Sequence, residues 1–201
     1  MFVNRRGTLS VMARKTAQEA EKTREALLRA GMKLFAEGGF DAVSAEAIAT
    51  GASVTRGALY HHFGGKLGLF RVVVEEVFDS QAATILERAE AELDAWDALF
   101  AGCRAFIRSS IRPEYRRIVM IDAPSVLGID EWHELDRRYT TSTLKAALEE
   151  LPQASALGDL DALTEALSGA MNQLSLWAGA GGSVEGAEEM VRTLLEALVP
   201  R

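Results

Sequence analysis

Between Ser44 and Lys66 the chain reads SAEAIATGASVTRGALYHHFGGK, and few local folds suit that order of residues. Ser44 is a favoured N-cap, and Ala45, Ile48 and Ala49 follow at the spacing that turns one apolar side of a short helix inward. Gly51 to Val54 supplies a turn, and Thr55 caps a second short helix. There Leu59 faces inward while Arg56, Gly57, Tyr60 and His61 lie on the other sides. Neither helix is long enough to be stable alone, so both need a further element to pack on. The pattern predicts a helix-turn-helix, in which the second helix enters the DNA major groove with its N-terminal residues at the base edges. Donors, acceptors and flat groups are needed on such a helix, a description met by Arg56, Tyr60, His61 and His62.

The preceding sequence supplies the further element. Leu27, Ala30, Gly31, Leu34 and Phe35 recur at i, i+3, i+4, i+7 and i+8, which predicts an amphipathic helix from about Thr16 to Glu37, stopped by Gly38-Gly39. Phe40 and Val43 then enter the motif as apolar anchors. The result is a three-helix domain over residues 16–66, with Ile48, Leu59 and Phe63 in its core. Residues 1–15 are polar and basic without periodicity and read as a flexible arm, and Met12 offers a second start. Arg14 and Lys15 either reach the minor groove or phosphates or belong to a solvated tail.

After Gly64-Gly65 another helix starts at Lys66, and Leu67, Phe70, Val73, Val74, Val77 and Phe78 continue it to about Ile85 with no linker. A rigid helix shared by two domains converts a shift in one into displacement of the recognition helix in the other. Beyond it come an Asp94-capped helix, a helix begun by Pro113 and ending near Ala123-Pro124, and one from about Asp130 to Leu151. Two last helices, about 157–178 and 183–199, are parted by Gly179 to Gly182. No run of strand period appears. The fold class is therefore all-α, an N-terminal helix-turn-helix domain followed by a larger helical domain over 67–201.

Charge divides along the chain. The net charge is −7, yet residues 1–70 hold 10 Lys+Arg against 6 Asp+Glu, a balance of +4, and the remainder 12 against 23, a balance of −11. Nucleic-acid binding is thereby confined to the N-terminal end. Hydrophobic residues at 48%, charged residues at 25% and only 4 Pro describe a soluble globular helical protein. No apolar run reaches the roughly 18 residues of a membrane span, and Arg5-Arg6 precede no signal-peptide core, so the chain reads as cytoplasmic with no membrane partner. A lone cysteine, Cys103, excludes an intrachain disulfide and a cysteine-rich metal site and reads as ordinary core or as a redox sensor. No phosphate-binding Gly-Lys-Ser/Thr, dinucleotide glycine fingerprint or nucleophile elbow occurs, and His133-Glu134 lacks a second histidine. No catalytic residue, metal site or cofactor is assigned.

The motif resembles the DNA-binding domain of the TetR family of bacterial transcriptional regulators. That pattern is roughly a Thr/Ser cap, Ile-Ala, Ala-Gly-Val-Ser, x-Gly-x-Leu-Tyr, x-His-Phe and a Lys three residues on. The chain matches at Ser44, Ile48-Ala49, Ala52, Val54-Thr55, Gly57, Leu59-Tyr60, His62-Phe63 and Lys66. It departs at Ser53, the place of the turn glycine, where a left-handed backbone costs a residue with a Cβ roughly 1 kcal/mol. Gly51, two residues earlier, is placed to ease that strain. The resemblance implies a ligand-responsive regulator, usually a repressor, that binds double-stranded palindromic operator DNA as a homodimer. It also implies that Tyr60, His61 and Lys66 contact DNA, mostly at phosphates. Arg56 is the candidate base reader, because its planar fork matches guanine O6 and N7, and the small Gly57 and Ala58 allow close approach. His62 bonds a phosphate or is a satisfied structural histidine. Ser44 and Thr55, at the two helix starts, complete the DNA-facing set.

Residues 67–201 resemble the family's effector-binding and dimerisation domain more weakly. Phe100, Phe106, Trp132, Tyr139, Met171 and Trp177, with the polar Arg104, Asp122, Asn172 and Gln173, are candidates to wall a pocket for a small, mostly apolar effector. The competing reading is a packed core in which Arg104 and Asp122 pair as a buried salt bridge. The apolar stripes near 157–199 are wider than one partner surface requires, which places a homodimer contact there. If Ser53 distorts the turn, the alternative is a helical ligand-binding or interaction protein without specific DNA binding.

Overall fold

The computed structural model describes the backbone of residues 5–199 and the side chains of residues 17–199, all in helices and their connections with no strand among the described residues. Two compact units divide the chain, one up to Val73 and one from Val74 onward. The division falls inside a single helix, α4 (Lys66–Ala89), rather than at its start.

In the first unit α1 (Arg5–Ala42) leads to α2 (Ala45–Gly51), α3 (Arg56–Phe63) and the beginning of α4. α1 is broken at Gly39, whose φ of 77° lies in the left-handed region that glycine enters without steric cost, and a last turn then runs to Ala42. Helical backbone also occupies residues 5–15, where the sequence reading placed an irregular arm. The side chains of Arg14 and Lys15 lie outside the described residues.

The predicted stripe of α1 faces the core, with Leu27, Gly31 and Phe35 buried. The Phe35 and Phe70 rings meet edge-on at 5.1 Å, and Phe40 lies 4.9 Å from Phe70. Ile48, Leu59 and Leu69 are fully buried, each stabilising the fold by about 1.5–3 kcal/mol. Phe63 is only half-buried, since it is the last residue of α3, and the Arg24 guanidinium sits 5.7 Å from its ring. Close backbone approach sets the corner between α3 and α4. A Cβ added to Gly68 would stand 1.8 Å from the Phe63 carbonyl oxygen, so no side chain fits there.

In the second unit Asp94 caps α5 (Ala95–Ser110), accepting from the N–H groups of Trp96 and Asp97. A continuous helical run follows through α6 (Pro113–Tyr115), a π-helical stretch (Arg116–Asp122) and α7 (Ala123–Val126). The sequence reading ended this helix at Ala123-Pro124. Instead the turn before Pro124 widens, and the Ala123 N–H bonds the Ile118 carbonyl, five residues back. Proline has no N–H to offer and its ring crowds the carbonyl four residues earlier, so the wider register accommodates it. The expected helix near 130–151 is likewise split, into α8 (Ile129–Asp136), a π stretch (Arg137–Thr141) and α9 (Ser142–Glu149). Last come α10 (Leu160–Gly179) and α11 (Val184–Leu198).

Leu99, Ile107, Leu148, Leu167, Val191 and Leu195 bring α5, α9, α10 and α11 into one core. Two buried polar ties fix its edges. Trp96 Nε1 donates to the Val199 carbonyl at 3.0 Å, and Gln81 Nε2 on α4 donates to the Ser109 and Ser110 hydroxyls at 3.0 and 2.8 Å. Among the described residues no helix is long and apolar enough to cross a membrane.

Candidate functional site

Both predicted caps are formed. Ser44 Oγ accepts from the Ala47 N–H at 3.0 Å, and Thr55 Oγ1 from the Ala58 N–H at 3.2 Å. Capping uses a lone pair, so each hydroxyl keeps its proton free to donate.

The turn between the helices is a Schellman motif. The Val54 N–H reaches the Ala49 carbonyl at 2.9 Å and the Ser53 N–H the Thr50 carbonyl at 3.0 Å, which satisfies the last carbonyls of α2. Ser53 takes the left-handed position with φ 57°, alone among the described non-glycine residues. Gly51 does not ease the strain, because it is the last residue of α2 and its φ is not positive. A Cβ there would meet the Ala30 Cβ on α1 at an ordinary 3.6 Å, so packing does not require glycine at this position either.

α3 presents Arg56, Gly57, Tyr60 and His61 to solvent, with Ala58 and His62 half-buried and Leu59 fully buried. Arg56 is already engaged. Its guanidinium pairs with Glu46 on α2, Nη2 donates to the Tyr60 hydroxyl at 3.1 Å, and the group lies 5.3 Å from the Tyr60 ring. The Tyr60 hydrogen bond and then the Glu46 charge push the Arg56 pKa further up. The His61 and His62 rings meet edge-on at 5.2 Å, and neither has a hydrogen bond among the described residues. His62 is therefore not the satisfied structural histidine of the second reading. Gly57 is not required by the fold, as a Cβ there would meet only Thr55 Oγ1 at an ordinary 3.6 Å. Lys66 is half-buried, with Nζ donating to the Phe40 carbonyl at 2.9 Å and lying 3.9 Å from the Phe40 ring centroid. Where the resemblance implies a phosphate contact, this ammonium is held by the protein and keeps its other protons for an anion.

In the second unit a cavity of about 590 Å³ opens among α4, α5, the second π stretch, α9 and α10. Of the residues assigned to a pocket, Phe106 and Met171 line it. The others lie elsewhere, most of them engaged by a local partner, though the buried Asn172 Oδ1 has no hydrogen bond among the described residues. Phe100 stacks near Trp96 at 5.9 Å with the Arg192 guanidinium 4.0 Å from its ring. Arg104 pairs with Glu188 at 3.3 Å and Asp122 with Arg117 at 3.3 Å, so the proposed Arg104–Asp122 bridge does not exist. Trp132 Nε1 donates to the Val119 carbonyl at 2.8 Å, and Tyr139 stacks on Phe78 at 5.8 Å. Asn172 is half-buried on α10, and its neighbour Gln173 is exposed. Trp177 is 48% exposed, its ring lying against Gly182.

Sequence reasoning missed Thr140, Ser142, Thr143 and Leu144, which line the cavity. The one legible signal was a run of hydroxyl residues inside an otherwise amphipathic helix. Cys103 also lines it, and burial pushes its thiol up to about 12, so it stays protonated and behaves as core rather than as a redox sensor.

Comparison with known proteins bears on both units. A family model of tetracyclin repressor-like C-terminal domains matches residues 96–200, just over half of the chain. A second, of bacterial regulatory proteins of the tetR family, matches residues 27–73. The chain belongs to the tetR family. Its HTH-type relative AcrR of Shigella flexneri is 36% identical over 118 residues, covering 54% of this chain and 51% of that protein. Across the first curated tetR-type relatives the chain spans 30 to 51% of their length. Among solved structures, a TetR-family transcriptional regulator from Pectobacterium atrosepticum superposes with a TM-score of 0.71 at 29% identity, covering 90% of this chain and 94% of that one. RolR in complex with resorcinol shares the fold, with a TM-score of 0.68 at 20% identity over 91% of this chain and 90% of its own. The tetR family is one of transcriptional regulators, not of enzymes.

Proposed function

We propose that the protein is a ligand-responsive transcriptional repressor that binds a palindromic operator as a homodimer and releases it when a small, mostly apolar effector enters the second unit. The observation that carries this reading is the surface of α3. A guanidinium hydrogen-bonded to a phenol, and two imidazoles that have no hydrogen bond among the described residues, stand around a glycine that the fold does not need. That combination suits a helix that must come close to a polyanion and read base edges. In this scheme Arg56 leaves Glu46 and Tyr60 to bond a guanine, and Tyr60, His61, His62, the two capping hydroxyls and Lys66 hold phosphates. The formed Schellman turn at Ser53 favours this reading over a protein that has lost specific DNA binding.

Dimerisation is assigned to α10 and α11. Trp177, Met190 and Leu198 are 48%, 47% and 47% exposed, and Met190, Leu194 and Leu198 share one face of α11. Pairing with the same surface of a second copy would cover them and set two α3 helices on half-sites about 34–36 Å apart. RolR, which carries resorcinol in its solved complex, supports an effector cavity in a fold of this kind. A mobility-shift titration on the DNA upstream of the protein's own gene, with light scattering at micromolar concentration, tests the reading. Two protomers per bound site are expected. A monomer in solution, or equal affinity for unrelated DNA, would contradict it.

A further inference from the structure

We infer that the effector of this chain is a hydrophobic cation, an inference that rests on the effector reading above and narrows it. Four carboxylates, those of Glu90, Glu92, Asp94 and Glu150, border the cavity, and among the described residues no lysine, arginine or histidine lines it. Asp94 is occupied in capping α5. Glu90, Glu92 and Glu150 have neither an ion pair nor a side-chain hydrogen bond among the described residues, so three carboxylates stand uncompensated at the mouth. α4 ends at Ala89 and α9 at Glu149, and Ala89, Glu90 and Glu150 all touch the cavity. The carbonyl ends of two helices are thus added to the charged groups, and helix C-termini favour positive charge, while the N-terminus of α5 at the same cavity is already met by the Asp94 carboxylate that caps it.

The interior gives a second, independent indication. Three hydroxyls line the wall, and each has already given its single proton to its own helix. Thr140 Oγ1 donates to Asp136, at 2.6 Å to the carboxylate and 2.8 Å to the carbonyl, Ser142 Oγ to the Arg138 carbonyl at 3.0 Å, and Thr143 Oγ1 to the Tyr139 carbonyl at 3.2 Å. What remains for a ligand is lone pairs, so the wall accepts hydrogen bonds and does not give them. Behind Thr140, Asp136 is 5% exposed, solvated by the hydroxyls of Thr140, Thr141 and Ser168, and has no cationic partner among the described residues. Phe106 and Met171, a ring face and a polarisable sulfur, complete an apolar surface that tolerates a cation.

Arg88 of α4 and the arginines of α5 and of the turn after it lie on the other side of the α4–α5 pair, three of them ion-paired with Glu188 or Glu114. Arg88, Arg104, Arg108 and Arg112 border a separate groove there, with Glu92 at the margin between the two. Charge is therefore sorted by face, and the apolar cavity received the negative share.

Calorimetric titration of the full chain with three probes of similar shape tests the inference. The probes are tetraphenylphosphonium, the neutral triphenylphosphine oxide and the anionic tetraphenylborate, each also scored for release of operator DNA. The cation is expected to bind at least about tenfold more tightly than the neutral probe, the anion not at all, with the preference shrinking as salt screens the mouth. In Glu90→Gln/Glu150→Gln, both exposed positions, the cation should lose most of that preference while the neutral probe is unaffected. If the neutral probe or the borate binds as tightly as the cation and releases DNA, the charge assignment is wrong and the effector reading survives. If no probe binds, both are overturned for this cavity.

Discussion

Arg56 at the start of α3 is ion-paired with Glu46 in the first turn of α2, so the candidate base-reading guanidinium is held in place before any DNA arrives. The pair is exposed, at 57% and 59% for the two side chains, and pairs of that kind add little to stability. Its consequence lies in the proposed binding mode, where Glu46 would compete with guanine for Arg56 and repel phosphate. Glu46→Gln should tighten operator binding by roughly 2- to 10-fold, whereas Arg56→Ala should weaken it by roughly 5- to 150-fold and relax the preference at one base pair of each half-site. Anisotropy titrations on matched and single-mismatch operators measure both. Unchanged affinity in Glu46→Gln would remove Glu46 as a competitor.

Ser53 pays the steric cost that a glycine would avoid, with φ 57° at a position that closes two hydrogen bonds. Ser53→Gly should stabilise the protein by about 1 kcal/mol in urea unfolding and leave operator preference unchanged. A loss of stability would show that the serine side chain makes a compensating contribution.

Gly57 gives the opposite pairing of effects. A Cβ has room there and glycine disfavours a helix, so Gly57→Ala should raise stability by about 0.5–1 kcal/mol. The same methyl should weaken operator binding, because it stands where the helix meets the groove. If affinity is untouched while stability rises, close approach at Gly57 is not part of recognition.

Most of the first unit was legible because its determinants are local. The caps at Ser44 and Thr55, the stripe through Leu27 and Phe35 and the left-handed demand at Ser53 each follow from residues within a few positions of one another. Arg56 was legible as an exposed fork. Its partner Glu46, ten residues earlier, was not, since that contact depends on the angle between α2 and α3. In the second unit the determinants are distant. Arg104 finds Glu188, 84 residues on, rather than Asp122, and nothing in the local pattern distinguishes the two. Trp177 was read as pocket lining because aromatic content does not report which face of α10 a ring occupies, and it lies half-exposed against Gly182. Pro124 ended a helix on paper, whereas a π register let the helix continue.

Glu188 supplies a test of the second unit alone. Hydrogen bonding to Arg108, followed by the charges of Arg108 and Arg104, holds its carboxyl below the usual carboxylate range despite burial. Because the unfolded chain then takes up this proton first as pH falls, the pair's stabilisation is fully present above about pH 4.3 and is lost as pH drops through the lower folded value. Glu188→Gln should therefore be less stable than the native chain at neutral pH, and the gap should close under acid. A gap of constant size from pH 7 to 3 would mean that the loss comes from packing.

The central claim is that α3, carried by a symmetric dimer, reads a specific site, and selection from a random pool of double-stranded DNA measures it most directly. The native chain should recover a site with a dyad whose half-sites are about one helical turn apart, and Arg56→Ala should recover the same dyad with one position of each half-site degenerate. Recovery of sequences without a dyad, or of the same sequences from both proteins, would contradict it.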